Sequence, residues 1–349
     1  MISPSQTLSD SPRSGWRGLL ADYLGLSVAL GVLVLIFSVS TRNFFSADTF
    51  RTIANQIPAA VLIATAMTYV LVIAEIDLSV GSVLGLCGAV VGVAITQWRA
   101  PLWLALGAGV VTGLACGAFN GLVSLRWRLP SFIVTLGMLE MARGCAHAVT
   151  ASRTQYIGTD IEGIAGTTLL DVLRWILGGS LWIETLPLAW TLKVSLAFLF
   201  AIITVVMGQF VLTRMVFGRY MVAVGTNEEA VRLSGIDPRP IKLAVFLITG
   251  ALVALAAIIN VSRYQTSDPN AGTGFELQAI AAAVIGGTSL MGGRGSVVST
   301  FFGVLIIAVL NSGLAAVGAK DETKRLITGL VIVTAVVLDH YRHRLGRNR

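Results

Sequence analysis

The stretch PLWLALGAGVVTGLACGAFNGLVSL, residues 101–125, contains no Asp, Glu, Lys or Arg. A helix needs about 20 consecutive, mostly apolar residues to cross the hydrocarbon core of a bilayer. This stretch is long enough to do so, and Arg126 and Arg128 follow it directly. It therefore predicts a membrane-spanning helix.

Nine more apolar segments occur along the chain, although the second of the ten spans is marginal and the eighth and tenth are short. Ten is the best count, and nine or eleven stay open. The apolar stretch 169–189 is interrupted by charged residues and is expected to be interfacial or re-entrant.

The predicted fold is all-α, a polytopic membrane protein of about ten transmembrane helices without a soluble domain. The predicted spans are 19–39, 58–74, 78–96, 101–125, 130–149, 188–212, 241–261, 278–291, 297–317 and 326–338.

The composition indicates the same class of protein. Of the 349 residues, 55% are hydrophobic and 12% are charged, whereas soluble domains carry about 25% charged residues. These values exclude a soluble enzyme and also a disordered chain. The net charge of +7 is spread between the apolar spans instead of forming one basic stripe, so we expect no nucleic-acid partner.

The distribution of Lys and Arg predicts the orientation in the membrane. An even number of spans places both termini on one side. If the N-terminus is cytoplasmic, the inside segments carry more Lys and Arg than the outside segments, as the positive-inside rule requires. We therefore expect a cytoplasmic N-terminal tail over 1–18, a transmembrane domain over 19–339 with a cytoplasmic loop over 213–242, and a basic cytoplasmic tail over 340–349.

The sequence lacks the common motifs of ATP-dependent and hydrolytic enzymes. It contains no G-x-x-x-x-G-K-[ST] and no Gly-Lys dipeptide, so the phosphate-binding loop of an ATPase is missing. It also has no G-x-S-x-G, no HExxH and no His/Cys cluster. We expect that the chain is not an enzyme and holds neither a metal nor a cofactor of its own.

Polar residues between or within the apolar spans are candidates for a translocation path, since acids in such places are costly and often functional. Asp77 lies between the second and third spans, and Ser79 is the second residue of the third. They are expected either to cap the next helix, which also shapes the path, or to contact a substrate directly. Asn120 and Asn311 lie among small residues, where an amide could bond across helices or bind a polyhydroxylated ligand.

Two charged residues of the fifth span, Glu140 and Arg143, are three positions apart. This spacing places both on one face of a helix. They are expected to form a structural ion pair at a helix interface or, alternatively, to line a pore.

The loop over 213–242 contains a short amphipathic segment, 227–233. Asn227 can cap a helix there, Glu228 and Glu229 suit its positive N-terminal end, and Gly235 can end it. Because so short a helix is marginal in water, we expect it to contact a partner protein. The residues predicted to make this contact are Asn227, Glu228, Glu229, Ala230, Arg232 and Gly235.

Several short motifs follow one another in a characteristic order. They are 76–82 (IDLSVGS), 120–122 (NGL), 130–137 (PSFIVTLG), 143–144 (RG), 225–236 (GTNEEAVRLSGI), 269–277 (PNAGTGFEL), 280–282 (IAA) and 286–290 (GGTSL). Together they resemble the membrane permeases of ribose/xylose/arabinose-type ABC importers, and the resemblance covers most of 54–339. Glu75 departs from it, because the family usually has Gly at that position.

The resemblance implies an assembly in the bacterial inner membrane. Two permeases, identical or homologous, would sit with two ATP-hydrolysing subunits on the cytoplasmic face and a periplasmic sugar-binding protein outside. ATP would then be bound by the partner subunit, and this chain would supply the path for a monosaccharide or polyol.

Other classes of function stay open at this point. An ion-coupled secondary transporter could use Glu75, Asp77 or Glu140 as ion sites. A membrane-embedded enzyme is a third class, but no nucleophile–base motif supports it. Neither the transported sugar nor the identity of the second permease is predicted.

Overall fold

The computed structural model describes residues 16–41, 44–158, 195–320, 322–331 and 333–334. The expectations for 169–189, for most of the N-terminal tail and for the C-terminal tail therefore lie outside the described residues. The same holds for 188–194 of the predicted sixth span and for the end of the tenth.

Helices make up most of the described chain. They are α1 (Trp16–Ser40), α2 (Ala47–Gln56), α3 (Pro58–Val72), α4 (Val80–Thr96), α5 (Leu102–Trp127), α6 (Ser131–Thr150), α7 (Leu196–Arg214), α8 (Val216–Thr226), α9 (Glu228–Leu233), α10 (Arg239–Tyr264), α11 (Phe275–Ile285) and α12 (Val297–Ala316). A further helical segment covers 322–331. Two short antiparallel strands, β1 (Gln155–Tyr156) and β2 (Thr266–Ser267), pair with Gln155 opposite Ser267.

Among the described residues, six helices are long and apolar enough to cross a membrane: α1, α5, α6, α7, α10 and α12. The pair α2 and α3 makes a seventh span if it is counted as one, with a bend of 50°. The bend coincides with Pro58, which begins α3 and has no N–H to continue α2. These findings confirm the predicted all-α polytopic membrane fold.

Three of the ten predicted spans form helices shorter than a bilayer crossing. Helix α3 has 15 residues without α2, α4 has 17 and α11 has 11. The prediction for 278–291 was wrong at its end, because α11 stops at Ile285 and Gly287 turns the chain with φ of +83°. Glycine adopts this left-handed conformation without a steric penalty.

Helix α4 packs along the segment 267–272, which begins at the last residue of β2 and continues as a series of turns. Four glycines form one face of the helix: Gly81, Gly85, Gly88 and Gly92. The Ser267 hydroxyl donates to the carbonyl of Gly88 at 2.9 Å. A Cβ on Gly81 would lie 2.3 Å from the carbonyl oxygen of Gly272, so the two backbones are in direct contact. Small residues are what allow such an approach inside a membrane protein.

Candidate translocation and coupling site

A non-helical segment, 73–79, leads into α4 along the first turns of α6. Two of its backbone N–H groups donate to hydroxyls of α6. The N–H of Ile76 donates to Ser131 Oγ at 3.0 Å and that of Leu78 to Thr135 Oγ1 at 3.1 Å. In a membrane, non-helical backbone is tolerated only where protein groups or water satisfy it. The segment is therefore tied to α6 at two points.

Three of the predicted path residues, Asp77, Ser79 and Asn120, form one buried cluster where α4 begins. Asp77 Oδ1 accepts from the Ser79 N–H at 2.8 Å and from the Ser79 hydroxyl at 2.6 Å. Asn120 Nδ2 donates to Ser79 Oγ at 3.0 Å. All three residues are at most 2% exposed, and within the described residues Asn120 Oδ1 has no hydrogen-bond partner.

This cluster modifies the helix-capping prediction. Ser79 is the N-cap residue of α4, but no side chain accepts from the first turn of the helix. Asp77 instead holds the turn that precedes the helix. Asn120 lies seven residues before the end of α5 at Trp127, which places the cluster about 10 Å from that helix end.

Glu140 and Arg143 of α6 do not form the predicted ion pair in the described part of the chain. Arg143 Nη1 instead donates to the carbonyl oxygens of Pro269 and Ala271, at 2.5 and 3.0 Å. Those carbonyls belong to the turns of the segment 267–272 beside α4, where no helical N–H is available to them, so the guanidinium takes that place. Glu140 is exposed on the outer surface of the bundle.

Asn311 of α12 lies apart from this cluster. Its Oδ1 accepts from Thr328 Oγ1 at 3.4 Å. The side chain lines a different cavity, of about 190 Å³, together with Gln56, Arg263 and Gln278. The structure thus brings five of the six predicted path residues to α4, α5 and α6 and places the sixth elsewhere.

The predicted amphipathic helix is present as α9. Asn227 Oδ1 accepts from the N–H of Ala230 at 3.0 Å, and Arg232 Nη2 pairs with Glu229 Oε1 at 2.6 Å. Gly235 follows with φ of +87°, the conformation that ends a helix at no cost to glycine. These local predictions are confirmed.

Most of α9 faces away from the protein. Val231 is the one buried residue of the helix, whereas the six residues predicted to contact a partner are all exposed. Leu233 is apolar and 80% exposed. The helix therefore presents both polar and apolar groups to its surroundings.

An ion-pair cluster that sequence reasoning missed joins α9 to the segment before α4. Lys242 Nζ lies 2.5 Å from Glu75 Oε1 and 2.7 Å from Glu228 Oε2. The Lys242 side chain is 10% exposed. All three residues line a cavity of about 660 Å³ beside α9. Glu75 stood out in the sequence as a departure from the family pattern, but 167 residues separate it from Lys242.

The connections gather at two ends of the bundle. At one end, the Gly293 N–H donates to the carbonyl of Val72 at 2.9 Å, and the loop with α9 lies nearby through Lys242. At the other end, β1 pairs with β2 and the Ser195 N–H donates to Asn55 Oδ1 at 3.0 Å. This grouping agrees with alternating helices that cross from one side to the other.

The chain was compared with known families and proteins. Residues 49–336 match the family described as the permease component of the branched-chain amino acid transport system. The chain belongs to this permease family. The permease is 37% identical to the ribose import permease of Escherichia coli K12, over 90% of this chain and 92% of the relative. It is also 33% identical to the xylose transport system permease of the same strain, over 93% of each.

A third relative extends the similarity to another organism. The ribose import permease of Bacillus subtilis 168 is 34% identical to the permease over 97% of this chain and 98% of the relative. These relatives confirm the resemblance to the permeases of monosaccharide ABC importers. The family and these relatives are transport proteins, so the permease is not an enzyme. Together with the apolar helices, they show a multi-pass protein of the inner membrane.

Proposed function

We propose that the permease forms the translocation path of an ABC importer for a monosaccharide, a pentose or hexose, or a polyol. The observation that carries the proposal is similarity to ribose and xylose permeases over at least nine-tenths of both chains. The family description mentions amino acids, but the relatives compared above transport sugars. A periplasmic binding protein would deliver the sugar, and a separate ATPase would supply the energy.

Helix α9 supports the coupling role. A helix of six residues is marginal alone in water, yet this one is capped, ended by glycine and almost fully exposed. An ATPase subunit docked on the exposed residues would move α9 as it binds and hydrolyses ATP. In this arrangement ATP is bound by the partner, α9 lies on the cytoplasmic side, and both termini of the permease are cytoplasmic.

The exposed face of α6 supports a second permease copy or a homologue. Glu140 lies on that face in the middle of a membrane-spanning helix, where contact with lipid is costly for a carboxylate. Gly137 and Gly144 lie one helical turn away on either side and have open space where a Cβ would be. A facing permease would cover the glycines and let Glu140 border a hydrated path.

The path would then run from Glu140 past Arg143 toward the buried Asp77 cluster. Asp77, Ser79 and Asn120 would shape the path or contact the sugar through the free Asn120 oxygen. Asn311 would contribute from its separate cavity. Lipid would cover the remaining apolar surface of the bundle.

Uptake measurements in cells test the proposal. The permease is expressed with an ATPase and a sugar-binding protein of an importer of this type, in cells without other sugar importers. Labelled ribose, xylose and leucine are supplied separately. We expect uptake of a sugar that disappears when the ATPase carries an inactivating Walker-motif substitution. Uptake of leucine alone, or of sugar with the inactive ATPase, would contradict the proposal.

A further inference from the structure

We propose that Lys242 is a positioning residue that transmits movement of α9 to α6 through Glu75. The inference rests on the proposed coupling role of α9 and assigns the route inside the permease. The ammonium group bonds Glu228 on α9 and Glu75 in the segment before α4 at once, at 2.7 and 2.5 Å. A lysine ammonium has three donors around a compact charge, so it can bridge two carboxylates that come from different directions.

The ion pair between Lys242 and Glu75 is more buried than the one between Lys242 and Glu228, and this burial strengthens the bridge. Side-chain exposure falls from 50% at Glu228 to 17% at Glu75 and 10% at Lys242. An exposed ion pair contributes little to stability, whereas removing one partner of a buried pair is costly because it leaves an uncompensated charge. Glu75 and Lys242 are therefore held together more firmly than the Glu229–Arg232 pair on the outer surface of α9, whose side chains are about 60% exposed.

Lys242 forms the principal polar contact between α9 and the rest of the bundle. Val231 is the one buried residue of the helix. Within the described residues, the ion pair between Glu228 and Lys242 is the one that joins α9 to another element. Displacement of α9 by a docked partner would pull on Lys242 through the Glu228 carboxylate.

Two hydrogen bonds join the residues that follow Glu75 to α6. The next residue, Ile76, donates its N–H to Ser131 Oγ, and Leu78 donates to Thr135 Oγ1. Ser131 and Thr135 lie in the first two turns of α6. The N–H of Glu75 itself is bonded to the carbonyl of Val70 at 3.0 Å, which also ties the segment to the end of α3. In the proposed route, movement of the Glu75 side chain reaches the start of α6 through the two hydroxyl contacts.

Helix α6 carries the groups that the path requires. Arg143 on this helix holds the turns of the segment 267–272 beside α4, and Glu140 faces outward. The route runs from α9 through Glu228, Lys242 and Glu75 to the hydroxyls of α6. Asp77 lies two residues beyond Glu75 and would move with it.

The test compares Glu75→Gln, Glu228→Gln and the double variant in the complete reconstituted complex with ATPase and sugar-loaded binding protein. The quantity measured is the ratio of ATPase activity with and without the loaded binding protein, per assembled complex. A role in stability alone changes the yield of complex but leaves this ratio unchanged. Glu322→Gln is the matched control, since Glu322 is an exposed carboxylate outside the cluster.

Either substitution removes one of the two ionic contacts that make up the bridge, so we expect each to lower the ratio about fivefold and the double variant to be no worse. Independent roles for the two carboxylates would multiply to about 25-fold. The inference would be overturned if the ratio for Glu75→Gln lies within about twofold of that of the unchanged complex. It would also be overturned if the reduction in the double variant equals the product of the two single reductions. If the unchanged complex itself shows no stimulated ATPase activity, the proposed function fails as well, and the two failures are thereby distinguished.

Discussion

Asp77 organises the start of α4 through two short hydrogen bonds to a single neighbour, Ser79. Both donors, the N–H and the hydroxyl, are buried, and the bulk of the bundle separates them from water. An unsatisfied buried donor costs about 1–3 kcal/mol. The position therefore depends on an acceptor oxygen more than on a negative charge.

Asp77→Asn should consequently retain most sugar uptake, because the amide oxygen can accept the same two hydrogen bonds. Asp77→Ala removes the acceptor and is expected to lower uptake about tenfold or more, as about 1–3 kcal/mol is lost for each orphaned donor. Initial uptake rates, normalised to the amount of permease in the membrane, measure the difference. If the Asn and Ala variants are equally inactive, the carboxylate acts through its charge.

Gly81 provides a second test at this scale. A Cβ at Gly81 would lie 2.3 Å from both the Glu276 carboxylate and the Gly272 carbonyl oxygen, whereas Gly107 has nothing within 4 Å. Gly81→Ala should therefore push α4 away from the 267–272 segment, at a cost of about 1–3 kcal/mol or more. Gly107→Ala is the matched control. Melting temperatures of the purified variants should fall for Gly81→Ala and stay the same or rise for Gly107→Ala; equal values would show that the close approach does not matter.

Among the secondary-structure elements, α9 was the most predictable part of the site. Its cap, its charges and its terminating glycine lie within nine residues, 227–235, so local rules were sufficient. The ends of α3 and α11 were less predictable. After α3 the apolar residues Ile73 and Ala74 continue the run, although Ala74 is left-handed. After α11 the pair Gly286 and Gly287 is a local stop signal that a count of apolar residues passes over, because Leu290 and Met291 follow it.

Substitutions in α9 test its contact with the ATPase. Ala230→Trp adds bulk to an exposed position of the helix, and Gly235→Val strains a residue whose φ is +87°. Overpacking a fitted contact costs about 1–3 kcal/mol, which weakens binding roughly five- to a hundredfold. We expect much less ATPase to co-purify with either variant.

Gly318→Val is the control for this experiment. Gly318 also has a positive φ, +80°, and open space around it, but it follows α12 instead of α9. Its backbone strain is the same in kind and should not affect co-purification. Undiminished ATPase recovery with Ala230→Trp and Gly235→Val would mean that α9 is not the docking element.

For the whole molecule, the sequence predicted the class of fold well and the assembled site only in part. Long apolar spans identify membrane helices without knowledge of their neighbours. Contacts between distant segments were not predictable in this way. Arg143 bonds the carbonyls of Pro269 and Ala271 instead of the expected Glu140, and Lys242 bonds Glu75, which is 167 residues away in the sequence. No spacing rule links such residues, because the tertiary fold alone brings them together.

The missing phosphate-binding loop leads to a prediction for the isolated chain. Without a Gly-Lys dipeptide, it lacks the lysine and the cradle that bind the β- and γ-phosphates. We expect the purified permease, free of other subunits, to show no ATP turnover above an empty-detergent blank. Phosphate release at several turnovers per minute would contradict this, provided that it persists when an antibody against the ATPase subunit is added.

The most direct test of the account is transport by purified components in proteoliposomes. The permease is reconstituted with its ATPase, ATP is enclosed on the ATPase side, and sugar-loaded binding protein is supplied on the other side, with ionophores that abolish H⁺ and Na⁺ gradients. The account predicts sugar uptake that requires ATP, the ATPase and the binding protein and that persists with the ionophores. Uptake by the permease alone that is driven by an ion gradient and abolished by the ionophores would contradict it.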